Sequence, residues 1–333
     1  MRMAALQMLA RRRRLDQVLV TDRANILALT GVNCDNAILT LDAFYTDFRY
    51  VPMVHRVAPW LKVRDIRRFR PEGKRIGYEE SVSVQRFVAW QKVARRAEFV
   101  AIGDDLARMR SVKTAKEADA LRAVEKLNCR IWDIASKKFK PGMTEKGMAK
   151  IIRKLMIELG DGEAFDTIVC VGKNAAECHH EPDDTKWDGR EPVLVDMGVR
   201  LNGVCSDLTR NIVPKRPRPI YRRIYELVKS ANLAAIAVAR PGITCKALDK
   251  VARDIIRKGG FGKCFGHSLG HGVGYEIHEA PTVSSRSPVK LEPGMVITIE
   301  PGVYLEGNLG VRIEDMVLIT DDGCEILSLM ANK

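Results

Sequence analysis

Histidine is scarce in this chain, with six in 333 residues. Cysteine occurs eight times but scattered, with no Cys-x-x-Cys pair and no zinc-finger spacing. That excludes a thiolate-rich structural zinc site and reads as the reduced thiols of a cytosolic protein. No apolar run reaches the roughly 18 residues of a membrane-spanning helix, so no bilayer span is expected. A Gly-x-Ser-x-Gly elbow, a His-Glu-x-x-His helix and a phosphate loop are also missing, which removes serine-hydrolase, zincin and nucleotide-triphosphate readings. The stretch Met1–Ala10 is followed by Arg11–Arg14 rather than by a small-residue cleavage site. It reads as an amphipathic first helix ending in cations, not as a targeting segment.

Negative charge is in short supply too. The formal net charge is +13, and residues 1–112 hold 21 Lys+Arg against 12 Asp+Glu, or +9. The rest of the chain holds 34 against 30, or +4. A basic first third raises a nucleic-acid or acidic-surface partner. No recognised nucleic-acid motif accompanies the charge, so weak, non-specific binding is the most it predicts. The proline-rich segment Pro214–Pro219 reads as a stiff surface link.

What is there concentrates in one place. The stretch Gly266-His-Ser-Leu-Gly-His-Gly-Val-Gly-Tyr-Glu-Ile-His-Glu-Ala-Pro281 holds three of the six histidines and four glycines. The glycines argue against a helix, where each costs about 1 kcal/mol relative to alanine. Read as extended chain, His267, Leu269, His271 and Val273 share one face, and the glycines admit close approach by another group. Carboxylates interrupt β-branched apolar runs on both sides: Asp196, Asp207, Glu300 and Glu314. Each run reads as a buried strand. Buried charge is costly unless paired or metal-bound, and Arg210 and Arg312 are the only nearby cations. Four carboxylates and an imidazole suit a pair of divalent ions.

The order Asp, Asp eleven residues later, Gly-His-Gly, Glu-Pro-Gly, Arg-Ile-Glu resembles the metallopeptidase family with the pita-bread fold. That family includes methionine aminopeptidase, aminopeptidase P and Xaa-Pro dipeptidase (prolidase). The resemblance implies Asp196, Asp207, His271, Glu300 and Glu314 as ligands of two divalent ions, manganese first, with cobalt, zinc or iron as alternatives. It implies Glu300 as proton acceptor for a metal-activated hydroxide. His278 would stabilise the developing oxyanion and His179, in Cys178-His-His-Glu-Pro182, would hold substrate, with Arg312 assigned to the same substrate side. In prolidase-type relatives an arginine follows His-Glu-x-Pro; here Thr282 does, and Arg286 is the candidate for the substrate carboxylate. The expected activity is hydrolysis of Xaa-Pro bonds in dipeptides or short peptides by a cytoplasmic homodimer. A non-catalytic binding module and a creatinase-like amidinohydrolase are the alternatives, and the intact set of five ligands argues against both.

The expected architecture is α+β in two domains. Residues 1–112 read as a small α/β domain of the creatinase N-terminal, ribonuclease H-like kind, which methionine aminopeptidase lacks. Residues 113–333 read as a pita-bread domain opening at a capping box, Thr114-Ala-Lys-Glu117. An internal repeat lies within it. Pro141–Arg153 aligns with Pro241–Arg253 at an offset of 100, sharing Pro, Gly, Thr, two Lys and Arg. Thr144 and Thr244 read as matching N-caps. Asp196 and Asp207 fall in one half and His271, Glu300 and Glu314 in the other, so a site between the halves is expected.

Overall fold

The computed structural model describes residues 2–333. The chain divides into two compact units, Met1–Arg110 and Ser111–Lys333.

In the first unit Gln17–Leu19, Arg75–Tyr78 and Glu98–Ala101 form a parallel sheet with Arg75–Tyr78 central. A second sheet pairs Phe44–Thr46 antiparallel with Ala37–Leu39 and parallel with Val63–Asp65. Asp22 caps the helix Arg23–Thr30 through the Asn25 amide, and Gly31 ends it at φ 77°. The strand Ala37–Leu39 stops there because the Thr40 hydroxyl accepts from the Asp42 and Ala43 amides and closes a turn. The helix Val51–Val57 carries no apolar periodicity that betrays it; a proline in its first turn presets the helical φ.

The second unit is built twice over. Both arms of the Thr114–Glu117 capping box form, opening the helix Ala115–Lys138. Thr144 and Thr244 cap Glu145–Leu159 and Cys245–Lys258 through the Gly147 and Ala247 amides. The repeat extends to the backbone that meets these helices. The Lys146 amide donates to the Asp183 carbonyl as the Lys246 amide does to Ser287, and Gly142 donates to Trp187 as Gly242 does to Leu291. One apolar core lies under Ala115–Lys138 and Glu145–Leu159, and a second under Pro219–Val238 and Cys245–Lys258.

Between the cores runs a five-stranded sheet, ordered Glu279–Val283, Gly270–Gly272, Val296–Ile299, Asp315–Ile319, Cys324–Ile326. Side chains alternate across a strand, so Val296, Met316 and Leu318 enter the first core while Ile297, Ile299, Val317 and Ile319 enter the second. Two buried faces explain why residues 316–319 are apolar without interruption and Val296–Ile299 broken only by Thr298. A further antiparallel sheet sets Val193–Met197 between Ile168–Val171 and Leu208–Ile212.

The glycine-rich stretch is strand only over Gly270–Gly272, and its register shifts between His271 and Gly272. The shift changes the phase of the side chains. Leu269 joins the second core and Val273 the first, so the single shared face expected from simple alternation does not form. The close approach does. A Cβ on Gly270 would lie 2.0 Å from the Thr298 carbonyl oxygen, and one on Gly272 2.2 Å from that of Ala280.

Candidate metal centre

Only Asp196 among the four carboxylates sits inside a strand. Asp207 lies just before Leu208–Ile212, Glu300 just after Val296–Ile299, and Glu314 between Leu309–Arg312 and Asp315–Ile319. These last three lie where a ladder breaks, and Asp207 from one half and Glu300 from the other both reach His271. The His271 Nε2 is 3.5 Å from an Asp207 oxygen and 3.4 Å from Glu300 Oε1. One ligand atom each from Asp207, His271 and Glu314 falls within 4.8 Å of the others. The His271 Nδ1 lies 3.0 Å from the Gly272 carbonyl. Donation there fixes the tautomer and leaves Nε2 with a free lone pair toward the carboxylates.

The two cations divide their work. Arg210, fully buried, pairs with Asp315 at 2.8 Å and donates to the carbonyls of Ala331, Thr209 and Glu314, so it holds the backbone behind the cluster rather than its carboxylates. Arg312 donates to Asp196 at 2.7 Å, to the Thr209 hydroxyl at 3.1 Å and to the Tyr304 hydroxyl at 3.0 Å. The Thr209 hydroxyl in turn donates to Glu314 at 2.7 Å. Arg312 is 4 % exposed and holds Asp196 from within the cluster.

Four carboxylates thus face one guanidinium. Burial, then the charges of Glu314, Asp196 and Glu300, hold Asp207 well above the ordinary carboxylate range. Burial, then Glu300 and Asp196, do the same to Glu314. Burial pushes Glu300 up to about 8 against the opposing pull of Arg312. His271 goes the other way, lowered by burial to about 4, so its ring is neutral and keeps a lone pair for a ligand. The Asp196 Oδ1 is buried with no hydrogen-bond partner among the described residues. An orphaned carboxylate oxygen beside three carboxylates that resist ionisation is a donor set built for positive charge.

The remaining candidates rim this cluster. The His278 ring meets His271 edge-on at 4.4 Å, and its own side chain is exposed. His179 is exposed, and its charge adds to the lowering of His267. Arg286 is exposed in the loop after Glu279–Val283 and makes no hydrogen bond or ion pair among the described residues. Cys205 is buried against the Tyr275 carbonyl and does not join the cluster. Sequence reasoning missed Tyr304 and gave His267 no role in the site. His267 Nε2 is 3.0 Å from the Tyr304 hydroxyl, which links it through Arg312 to Asp196. Their sequence signal is a spacing of four, His267 before His271 and Tyr304 after Glu300. Away from the cluster, Glu145, His180 and Asp183 converge separately.

Paired helical halves with a carboxylate–histidine cluster drawn from both define a pita-bread metal-dependent hydrolase. Residues 119–321 match the model of metallopeptidase family M24 and residues 2–112 that of the creatinase/prolidase N-terminal domain; the chain belongs to metallopeptidase family M24. It is 38% identical over 254 residues to a Xaa-Pro dipeptidase of Pyrococcus furiosus, covering 76% of this chain and 73% of that protein. The structure of a prolidase from Pyrococcus horikoshii superposes with a TM-score of 0.91 at 32% identity, over 98% of this chain and 97% of that one. An X-Pro aminopeptidase from Thermotoga maritima gives 0.85 at 30% identity, over 95% and 96%.

Proposed function

We propose that this metallopeptidase hydrolyses Xaa-Pro bonds in dipeptides and short peptides, with two divalent ions held by Asp196, Asp207, His271, Glu300 and Glu314. The observation that carries the reading is the orphaned Asp196 oxygen among three carboxylates that burial and mutual repulsion hold well above the ordinary carboxylate range. Hard oxygen donors with one imidazole suit manganese first, then cobalt, iron or zinc. Similarity to both a Xaa-Pro dipeptidase and an X-Pro aminopeptidase supports the substrate class and favours catalysis over a binding module or an amidinohydrolase.

Bound divalent ions would supply a hydroxide nucleophile near neutral pH and polarise the scissile carbonyl. The protein supplies the rest. Arg312 fixes Asp196, and Thr209 fixes Glu314. Glu300, steadied by the Thr298 hydroxyl at 3.3 Å, accepts the proton of the attacking water and returns it to the leaving imino nitrogen. His278 donates to the oxygen where charge develops, and His179 holds the substrate main chain. Arg286 is the proposed partner of a dipeptide's carboxylate, giving a modest preference for dipeptides over longer Xaa-Pro peptides. The functional boundary is placed between residues 112 and 113. No helix among the described residues is long and apolar enough to cross a membrane. All eight cysteines are free, which fits the cytoplasmic homodimer of this proposal, with at most weak, non-specific nucleic-acid binding.

Chelator-stripped protein should be inactive on Gly-Pro, Ala-Pro and Ala-Pro-Xaa, and regain activity with manganese, cobalt or zinc. Full activity after stripping, or restored metal with no Xaa-Pro cleavage, would refute the proposal.

A further inference from the structure

The segment that carries His179 is anchored from behind by its neighbour. Cys178 lies against Tyr304 on the metal side, and the charge of His179, next along the chain, reaches His267. His180 turns the opposite way. Its Nε2 meets Glu145 Oε2 at 2.8 Å and its Nδ1 meets Glu177 Oε2 at 3.2 Å, with the ring about 10% exposed. Two carboxylates on two ring nitrogens call for two N–H donors, which only the imidazolium has. The charged groups facing it are Glu145 from the first turn of its helix and Glu177 and Asp183 from its own loop. Burial alone would lower its pKa; the bonds to Glu145 and Glu177 outweigh that, and the net shift is upward.

Glu145 is a hub rather than a spare ligand. Fully buried, it also accepts from the Val171 amide at 2.6 Å, the Asn174 side chain at 3.0 Å and the Asp183 amide at 3.0 Å. Both ends of the 172–183 segment therefore hang on one carboxylate. The duplicated half shows that the fold does not demand this. Where Glu145 stands in the first half, Cys245 stands in the second, at the same hydrogen-bonded turn. The ionic anchor exists only where the adjoining loop presents a histidine to the site.

We propose that His180, bridging Glu145 and Glu177, is a positioning residue that holds His179 in place for substrate. The inference rests on the reading of His179 as a substrate contact, and its test separates the two. His179→Ala, His180→Gln, Glu145→Gln and the double variant H179A/H180Q would be assayed on Ala-Pro with metal content measured in each. H179A and H180Q should each raise KM about tenfold, with kcat within about twofold and metal content unchanged. H180Q should add nothing in the H179A background, because residues acting through one contact are not additive. E145Q should reproduce H180Q. If H179A leaves KM unchanged, the substrate role of His179 fails and the proposal with it. If H179A raises KM but H180Q does not, or the two effects multiply in the double variant, the anchor alone is refuted. A third equivalent of manganese on the wild type, lost in H180Q, would also overturn it by making Glu145, His180 and Asp183 an ion site. Should H180Q fail to fold, Glu177→Gln, on the exposed side of the ring, carries the same test with a smaller rise in KM.

Discussion

Asp207 bears the sharpest test among the residues. The residue is 4% exposed and repelled by four other carboxylates, Glu314, Asp196, Glu300 and Glu125, so its charge is tolerable only with cations present. Asp207→Asn should bind less metal and lose activity by more than about a thousandfold; stoichiometric metal with near-normal turnover would remove it from the ligand set. His278→Ala should cut kcat by roughly a hundredfold or more, the scale of one lost oxyanion donor, while keeping its metal. Loss of metal there would mean ligand and donor roles are exchanged. These residues were legible because a charge inside a β-branched run is hard to explain otherwise. Arg312 was harder to place: sequence shows a cation near four anions, but only the structure shows it turned from solvent onto Asp196. The role of His267 and its partner Tyr304 stayed hidden because their link is a hydrogen bond between residues 37 apart.

The elements are specified by local chemistry where that chemistry is strong. Both threonine caps, the capping box and the glycine stop at Gly31 appear where the residue types put them. Helices and strands without such marks, Val51–Val57 and Val63–Asp65 among them, were not legible, because their pairing partners lie elsewhere in the chain. The bulge at His271 and Gly272 is also a tertiary effect, since adjacent strands impose it. Gly270 is where this packing is least forgiving. A methyl group there meets a backbone oxygen of Val296–Ile299 that cannot swing aside. Gly270→Ala should cost about 3 kcal/mol or more and reduce metal binding by displacing His271. Thr114→Ala, which removes only a cap, should cost about 1 kcal/mol and spare activity. Calorimetry on the two variants decides: similar small losses in both would mean that the strands separate easily and that the glycine is incidental.

At the scale of the whole molecule, the cluster ties stability to protons and metal in opposite directions. Glu300 rises from an ordinary 4.5 to about 8 in the folded, metal-free protein, and Asp207 and Glu314 are raised with it. The folded state then holds more protons than the unfolded chain across that window, so metal-free stability falls as pH rises from about 4.5 to about 8. Metal needs the deprotonated ligands, so its stabilising effect grows over the same range. The melting temperature gained on adding manganese should therefore be larger at pH 8 than at pH 6; a gain that shrinks with pH would contradict the electrostatic account. The basic first unit makes a separate expectation: any nucleic-acid binding should be weak and fall steeply with salt, whereas tight, sequence-selective binding at physiological salt would revive the binding-module reading. The claim beneath all of these is that residues from both halves hold two ions for one hydrolytic reaction. Its most direct measurement titrates manganese into chelator-stripped protein while following bound metal and Ala-Pro cleavage together. Two equivalents per chain should bind, with activity reaching its plateau as the second site fills, and Glu314→Gln should lower both. A plateau with no metal bound, or two tightly bound ions that leave Xaa-Pro bonds intact, would contradict it.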